Sequence, residues 1–205
     1  MYINKTFMQK IIDSPEWKLA ETWGQPRPGH PEGTIGRHVF EQVIPFIEEH
    51  FSDLPEYWDL IALAYLHDIG KPQTHYENGR LSGPSHSVLS AGIADSLGAP
   101  NELIQVITLN DRAYSHWRKL LDKNGNWDRA RWTPERQDRF TSEFGDQSLD
   151  LRLLVLFHRA DNDYRRSPII EESKDPVFWF ENQLLVFELL SALPTEGKDR
   201  ALNWQ

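Results

Sequence analysis

The sequence predicts an all-α fold around one core. Three observations carry that expectation. Apolar residues recur at helical spacing in several segments, for example Val39, Val43, Ile44 and Ile47, and later Leu103, Ile104, Val106 and Ile107. The run Leu60-Ile61-Ala62-Leu63-Ala64-Tyr65-Leu66 is apolar on every side, as a helix buried on all faces would be. No stretch of useful length alternates with the period of two that a half-buried strand requires.

The elements follow in order. Residues 1–14 read as a short amphipathic helix ended by Ser14-Pro15. Residues 22–34 hold Pro26, Pro28, Pro31 and three glycines, so this segment is irregular: proline removes a donor and restricts the residue before it. Thr34 is a natural N-cap for a helix through Val39 to Ile47, which Pro45 perturbs and Phe51-Ser52 leaves. A second core helix covers roughly 55–68. Residues 72–84 form a polar loop with an Asn78-Gly79 turn. Helices follow over about 85–97, closed by Gly98, and from Pro100-Asn101-Glu102 through Leu109. The aromatic, basic stretch 111–145 offers one helix start, Thr133-Pro134-Glu135. Leu149–Asp161 and 177–192 are two further apolar helices. The organisation expected is an N-terminal helix and irregular lead-in over 1–27, then one domain over 28–205 with a C-terminal helix.

Composition bounds the function. A hydrophobic share of 39% with 12% aromatic residues marks a globular chain. No apolar run nears the 18 residues of a membrane span, and Met1–Lys5 lacks the apolar stretch of a secretion signal. There is no cysteine, which excludes disulfides, thiol nucleophiles and Cys-ligated zinc. A cytoplasmic setting is expected. The net charge of −9 argues against a generic duplex nucleic-acid binder. Residues 112–139, however, hold eight basic and four acidic side chains, a local +4. Such a basic face on an acidic protein suits a phosphorylated small molecule. The segment Phe178–Leu190 is apolar on more than one face, so it completes the core or closes a homodimer.

The chemistry centres on Leu66-His67-Asp68-Ile69-Gly70-Lys71-Pro72. An ionisable pair at the end of an all-apolar helix is costly to bury unless it is paired or bound to metal. His38 lies early in the first core helix, and Asp161 ends an apolar one. Imidazoles and carboxylates converging from several helices suit a divalent ion such as Mn, Ni, Co, Fe, Mg or Zn. Lys71, three residues from Asp68, suits a phosphate oxygen as a point charge. Equally, it suits an exposed helix end.

The order His38 … His67-Asp68 … Asp161 resembles the HD superfamily of metal-dependent phosphohydrolases. His67-Asp68-Ile69-Gly70-Lys71-Pro72 is similar to the HDxGKP segment of HD domains attached to bacterial tRNA nucleotidyltransferases, the CCA-adding enzymes. His30-Pro31-Glu32 … His38, Ser85-His86 with Ser90-Ala91, Pro100–Ile104 and Arg159-Ala160-Asp161 resemble further segments of that group. The resemblance covers about residues 28–165. It implies a helical HD bundle and hydrolysis of a phosphate ester of a nucleotide or RNA end, as a phosphomonoesterase or 2′,3′-cyclic phosphodiesterase. It also implies His38, His67, Asp68 and Asp161 as metal ligands, with Asp68, Lys71 and His86 catalytic. Arg37, Lys71, His86, Arg112 and His116 are the expected substrate contacts.

Two departures matter. Two-metal HD proteins usually carry a further histidine where this chain has Leu109-Asn110-Asp111-Arg112-Ala113. One metal is therefore expected by default, with a second left open. The 27 residues before Pro28 are too few for the nucleotidyltransferase head and carry nothing like its paired-aspartate motif, so a free-standing HD protein is expected and tRNA end-building does not carry over. The alternative reading is a non-catalytic, nucleotide-sensing HD module.

Overall fold

The structure, a computed structural model, describes residues 3–27, 30–119, 131, 133–144 and 150–162. Helices dominate: α1 (Lys5–Asp13), α2 (Pro15–Glu21), α3 (Ile35–His38), α4 (Ile44–Phe51), α5 (Tyr57–Leu66), α6 (His86–Leu97), α7 (Asn101–Arg118), α8 (Pro134–Phe144) and α9 (Leu151–Asn162). The all-α expectation holds among the described residues. The expected helix over 177–192, and the Phe178–Leu190 segment with it, lie outside the described residues.

α5 is the axis. Every residue from Leu60 to Leu66 is buried, and the helix touches α1, α4, α6, α7 and α9. That all-round burial explains its apolar sequence. The core does not stop at the expected 27/28 boundary. Ile3, Met8, Ile11, Trp17 and Ala20 join the same cluster as Leu63, Val106 and Phe157.

Ser14-Pro15 ends one helix and starts the next. The Ser14 side chain accepts from the Trp17 backbone N–H, and Pro15 takes the first helical position, where its missing donor costs nothing. α2 then buries Trp17, whose ring meets Tyr65 of α5 edge-on at 4.7 Å.

Thr34 caps α3 by accepting from the Arg37 N–H. The helix does not run straight into α4. Residues Val39–Val43 form a π turn, in which the Ile44 N–H reaches back to the Val39 carbonyl. Pro45 gives the physical reason: it has no N–H, and its ring would clash with the Glu41 carbonyl in a regular helix.

Two short strands, β1 (Tyr76–Glu77) and β2 (Arg80–Leu81), pair antiparallel across Asn78-Gly79. Both turn residues have positive φ, 51° and 72°, the combination a tight two-residue hairpin demands. Sequence reading marks the turn and misses the strands, which are only two residues long and exposed. α6 ends at Gly98, whose φ of 84° closes the helix in the left-handed conformation. α7 runs to Arg118, well past Leu109, and α8 begins at Pro134 as Thr133-Pro134-Glu135 indicates. No described helix is long and apolar enough to cross a membrane.

Candidate metal centre

Three elements distant in sequence bring their polar groups to one point. His38 ends α3, His67 directly follows α5, and Asp161 lies in the last turn of α9. His38 Nε2 is 3.0 Å from Asp161 Oδ1, and His67 Nε2 is 3.5 Å from the same oxygen. The two imidazole rings stand 5.5 Å apart, centre to centre. One ligand atom from each residue lies within 4.8 Å of the other two, so the trio forms a group able to hold a metal ion.

The surroundings orient these ligands. His67 Nδ1 faces the Ala64 and Leu63 carbonyl oxygens at 3.1 and 3.2 Å. Carbonyls only accept, so Nδ1 carries the proton and Nε2 points inward. His38 Nδ1 meets Gln42 Oε1 at 3.2 Å and lies 3.8 Å from Glu32 Oε1. This is the pattern of ligating histidines, whose other ring nitrogen donates to an oxygen. Asn110 Nδ2 donates to Asp161 Oδ2 at 3.3 Å, leaving Oδ1 facing the histidines.

The donor set fits a divalent cation. Ligand bonds of about 2.0–2.2 Å place two donors on one ion roughly 3–4.5 Å apart, and the His38–Asp161 and His67–Asp161 separations lie in that range. His67 Nε2 is buried without a well-directed hydrogen bond, although Asp68 Oδ2 is 3.3 Å away. Burial acts most strongly on the His67 imidazole and would lower its pKa. The Asp68 and Asp161 carboxylates outweigh it and push the value up to about 9. The pocket thus favours positive charge at that nitrogen, which a metal ion supplies in place of a proton.

Asp68 stands beside the trio rather than within it. Its Oδ2 accepts from Lys71 Nζ, and its Oδ1 lies 3.5 Å from His86 Nε2. Burial opposes its charge, but His67 and Lys71 overcome this and hold its carboxyl well below the usual range. His86, the first residue of α6, is also 3.0 Å from Asp111 Oδ2. Asp111, on α7, thus acts as a carboxylate partner to His86.

Gly70 explains how helix α5 turns into this arrangement. Its N–H donates to Ser90 Oγ at 2.9 Å. A Cβ at this position would come within 2.6 Å of the Ser90 backbone nitrogen and 2.9 Å of the His86 carbonyl oxygen. Only glycine lets the chain between Asp68 and Lys71 pack this closely on α6.

Other expected contacts lie elsewhere. Arg37 is exposed and forms a two-pronged pair with Glu41, both bonds at 2.9 Å. Arg112 is exposed on α7. His116 is buried, with Nε2 3.0 Å from Glu143 Oε2, and ties α7 to α8. None of these three lines the cavity beside the cluster. Residues 120–130 and 132 of the basic 112–139 window fall outside the described residues.

That cavity, of about 570 Å³, reaches from residues 22–27 through His30, Glu32 and His38 to Asp68 and Lys71. Sequence reading assigned no substrate role to its 22–33 wall. The proline- and glycine-rich composition marks a loop, and a loop beside a buried helix end was the available signal. No family model, curated protein or solved structure matches the chain.

Proposed function

We propose that the protein is a metal-dependent phosphohydrolase of the HD type, cleaving a phosphate ester of a nucleotide or RNA end in the cytoplasm. The observation that carries this reading is the convergence of His38 Nε2, His67 Nε2 and Asp161 Oδ1 beside a cavity that also holds Asp68 and Lys71. His38, His67 and Asp161 would hold the ion, and Asp68 stands beside them. A divalent cation bound there supplies Lewis acidity and makes a water nucleophile available at neutral pH.

The chain's own groups do the rest. Lys71 offers its ammonium to a phosphate oxygen while Asp68 holds it in place. Asp68, ionised and buried, accepts the proton of the attacking water. His86, held between Asp68 and Asp111, protonates the leaving oxygen.

The test is a panel of cyclic, mono- and triphosphate nucleotides and p-nitrophenyl phosphate, each with added Mn, Ni, Co, Fe, Mg or Zn. Turnover lost in both His67→Ala and Asp68→Ala supports the reading. A metal-loaded protein that binds nucleotides but releases no phosphate from any member would point instead to the sensing module.

A further inference from the structure

The cavity beside the metal cluster is larger than a single phosphate needs. Its volume of about 570 Å³ lies in the range of sites that enclose a whole small-molecule ligand. Lys71 stands at the metal end, where Asp68 already holds it. The wall built from residues 22–35 brings a second cation to the same space, the exposed Arg27. Among the described residues no carboxylate lies within ion-pair reach of the Arg27 guanidinium, whereas Arg37 and Arg152 are each gripped by a glutamate. The one acidic residue of that wall, Glu32, is buried, and its Oε1 faces His30 Nδ1 at 2.9 Å, so it does not neutralise the arginine. A guanidinium that lines a cavity without an acid beside it is a ready contact for an anionic group of a ligand.

The backbone under Arg27 is tied down. Its N–H donates to the His30 carbonyl at 3.1 Å, and the His30 N–H donates to the Arg27 carbonyl at 2.9 Å. The Gly33 N–H reaches the same His30 carbonyl at 3.1 Å. Gly33 has a φ of 84°, and a Cβ there would come within 2.9 Å of the Pro26 ring, so the segment before Arg27 lies flat on the segment after it. The Trp23 carbonyl accepts from the Ile35 N–H at 3.0 Å and fastens the whole wall to the start of α3. The His30 ring in turn stands 6.4 Å from the His38 ring, centre to centre. Arg27 is thus one residue further from the candidate metal ligands than His30. The cavity has two places for negative charge, one at the metal cluster with Lys71 and one at Arg27, set apart by more than the width of an imidazole.

We propose that Arg27 binds a second phosphate of the substrate, one that is not cleaved, and that the substrate is a nucleotide phosphorylated on both sides of its sugar. The inference rests on the proposed function in one respect: the scissile phosphate sits at the His38–His67–Asp161 end. The planar guanidinium matches phosphate oxygens with two parallel hydrogen bonds. Two phosphates that share an oxygen lie too close together to occupy both places, whereas a sugar between them supplies the spacing. A nucleoside 3′,5′-bisphosphate is the smallest molecule of this kind, and the 3′-phosphorylated end of an RNA presents the same two groups. Contact with a phosphate reads no base, so this wall selects by the number and spacing of phosphates.

The experiment measures binding by calorimetry to the full chain with metal removed by chelation, so that no turnover is needed. The probes are adenosine 3′,5′-bisphosphate, adenosine 3′-monophosphate, adenosine 5′-diphosphate and a short oligoribonucleotide with a 3′-phosphate. The bisphosphate is expected to bind about 10-fold more tightly than the 3′-monophosphate, the low end of a hydrogen bond to a charged group because Arg27 is exposed. The preference should shrink as salt is raised. It should vanish in Arg27→Ala, at an exposed position where folding is not at stake, and return in part in Arg27→Lys. The diphosphate, whose phosphates adjoin, should bind like the monophosphate. An oligoribonucleotide that binds more tightly than the bisphosphate and loses that affinity in Arg27→Ala supports the proposal with an RNA end as the source; one that binds no better supports it with a small nucleotide. Equal affinity of the wild type for bisphosphate and monophosphate overturns the inference, as does a bisphosphate that does not bind. So does a preference left intact in Arg27→Ala, or a diphosphate that matches the bisphosphate. Turnover of p-nitrophenyl phosphate by the wild type, with its single phosphate, reports separately on the phosphohydrolase reading.

Discussion

Single residues set the electrostatics of the site. Asn110 touches no candidate ion, yet it holds Asp161 Oδ2 and so turns Oδ1 toward the two histidines. Groups that orient a ligand in this way typically control metal affinity by 10- to 100-fold. Asn110→Ala is therefore expected to weaken metal binding by about that factor, read by competition with a chromogenic chelator, with the circular dichroism spectrum unchanged. A second residue-scale effect lies away from the site. Asp59, half-buried in the first turn of α5, has its pKa raised to about 6 by burial, then by Asp150 and Glu56. Its folded-state value exceeds the ordinary one, so the folded protein binds this proton more tightly than the unfolded chain. The stability it contributes is complete below about pH 4 and is lost as pH rises past 6. Solvent screening of a half-buried group limits the loss to about 1–2 kcal/mol. Asp59→Asn should raise the melting temperature at pH 7.5 and leave it unchanged at pH 4; an equal gain at both would contradict this assignment.

At the scale of elements, the turn after α5 decides whether its polar end meets α6. Gly70→Ala would force a Cβ against backbone atoms of α6, which cannot yield as a flexible side chain can. A cost of about 2–3 kcal/mol is expected, seen as a fall of roughly 4–12 °C in melting temperature for a chain of this size. Because Gly70 lies between Asp68 and Lys71, metal affinity should fall with it. The elements also show which features were legible in the sequence. Thr34 at a helix start, Gly98 at a helix end and the all-apolar run 60–66 announce themselves, because caps and burial patterns act over a few residues. Helix α2 was hidden because Ser14-Pro15 reads equally as a stop or a start, and only the packing of Trp17 on Tyr65 chooses between them. His38, His67 and Asp161 were legible as types in order. The Asn110–Asp161 bond and the His86–Asp111 pair were not, since each depends on how two helices meet in the fold.

For the whole molecule, the candidate centre ties the α3 end, the α5 end and α9 to one point, joining residues 38, 67 and 161. An unfolded chain presents no such site, so metal binding is linked to folding. At a free metal concentration about 100 times Kd the expected stabilisation is about 2.7 kcal/mol, or roughly 5–11 °C in melting temperature. Scanning calorimetry with and without chelator should show it, and Asp161→Ala should abolish the difference. A wild-type melting curve indifferent to every divalent ion tried would remove the centre from consideration.

The π turn before α4 has a consequence of phase. Val39, Val43, Ile47 and Phe51 are all fully buried at intervals of four residues. In a straight α-helix each such step precesses by about 40°, since four residues advance 400° at 3.6 per turn. Over three steps the stripe would wander a third of the way around the helix and leave the core. The widened turn at 39–43 takes up part of that rotation before α4 begins. It thereby sets the angle at which everything upstream faces the interior, and His38 is the residue immediately upstream. Shortening this stretch by one residue would swing the His38 ring by about 100°, a quarter-turn and more away from His67 and Asp161. The aim of the imidazole is thus set partly by a proline seven residues further along the chain.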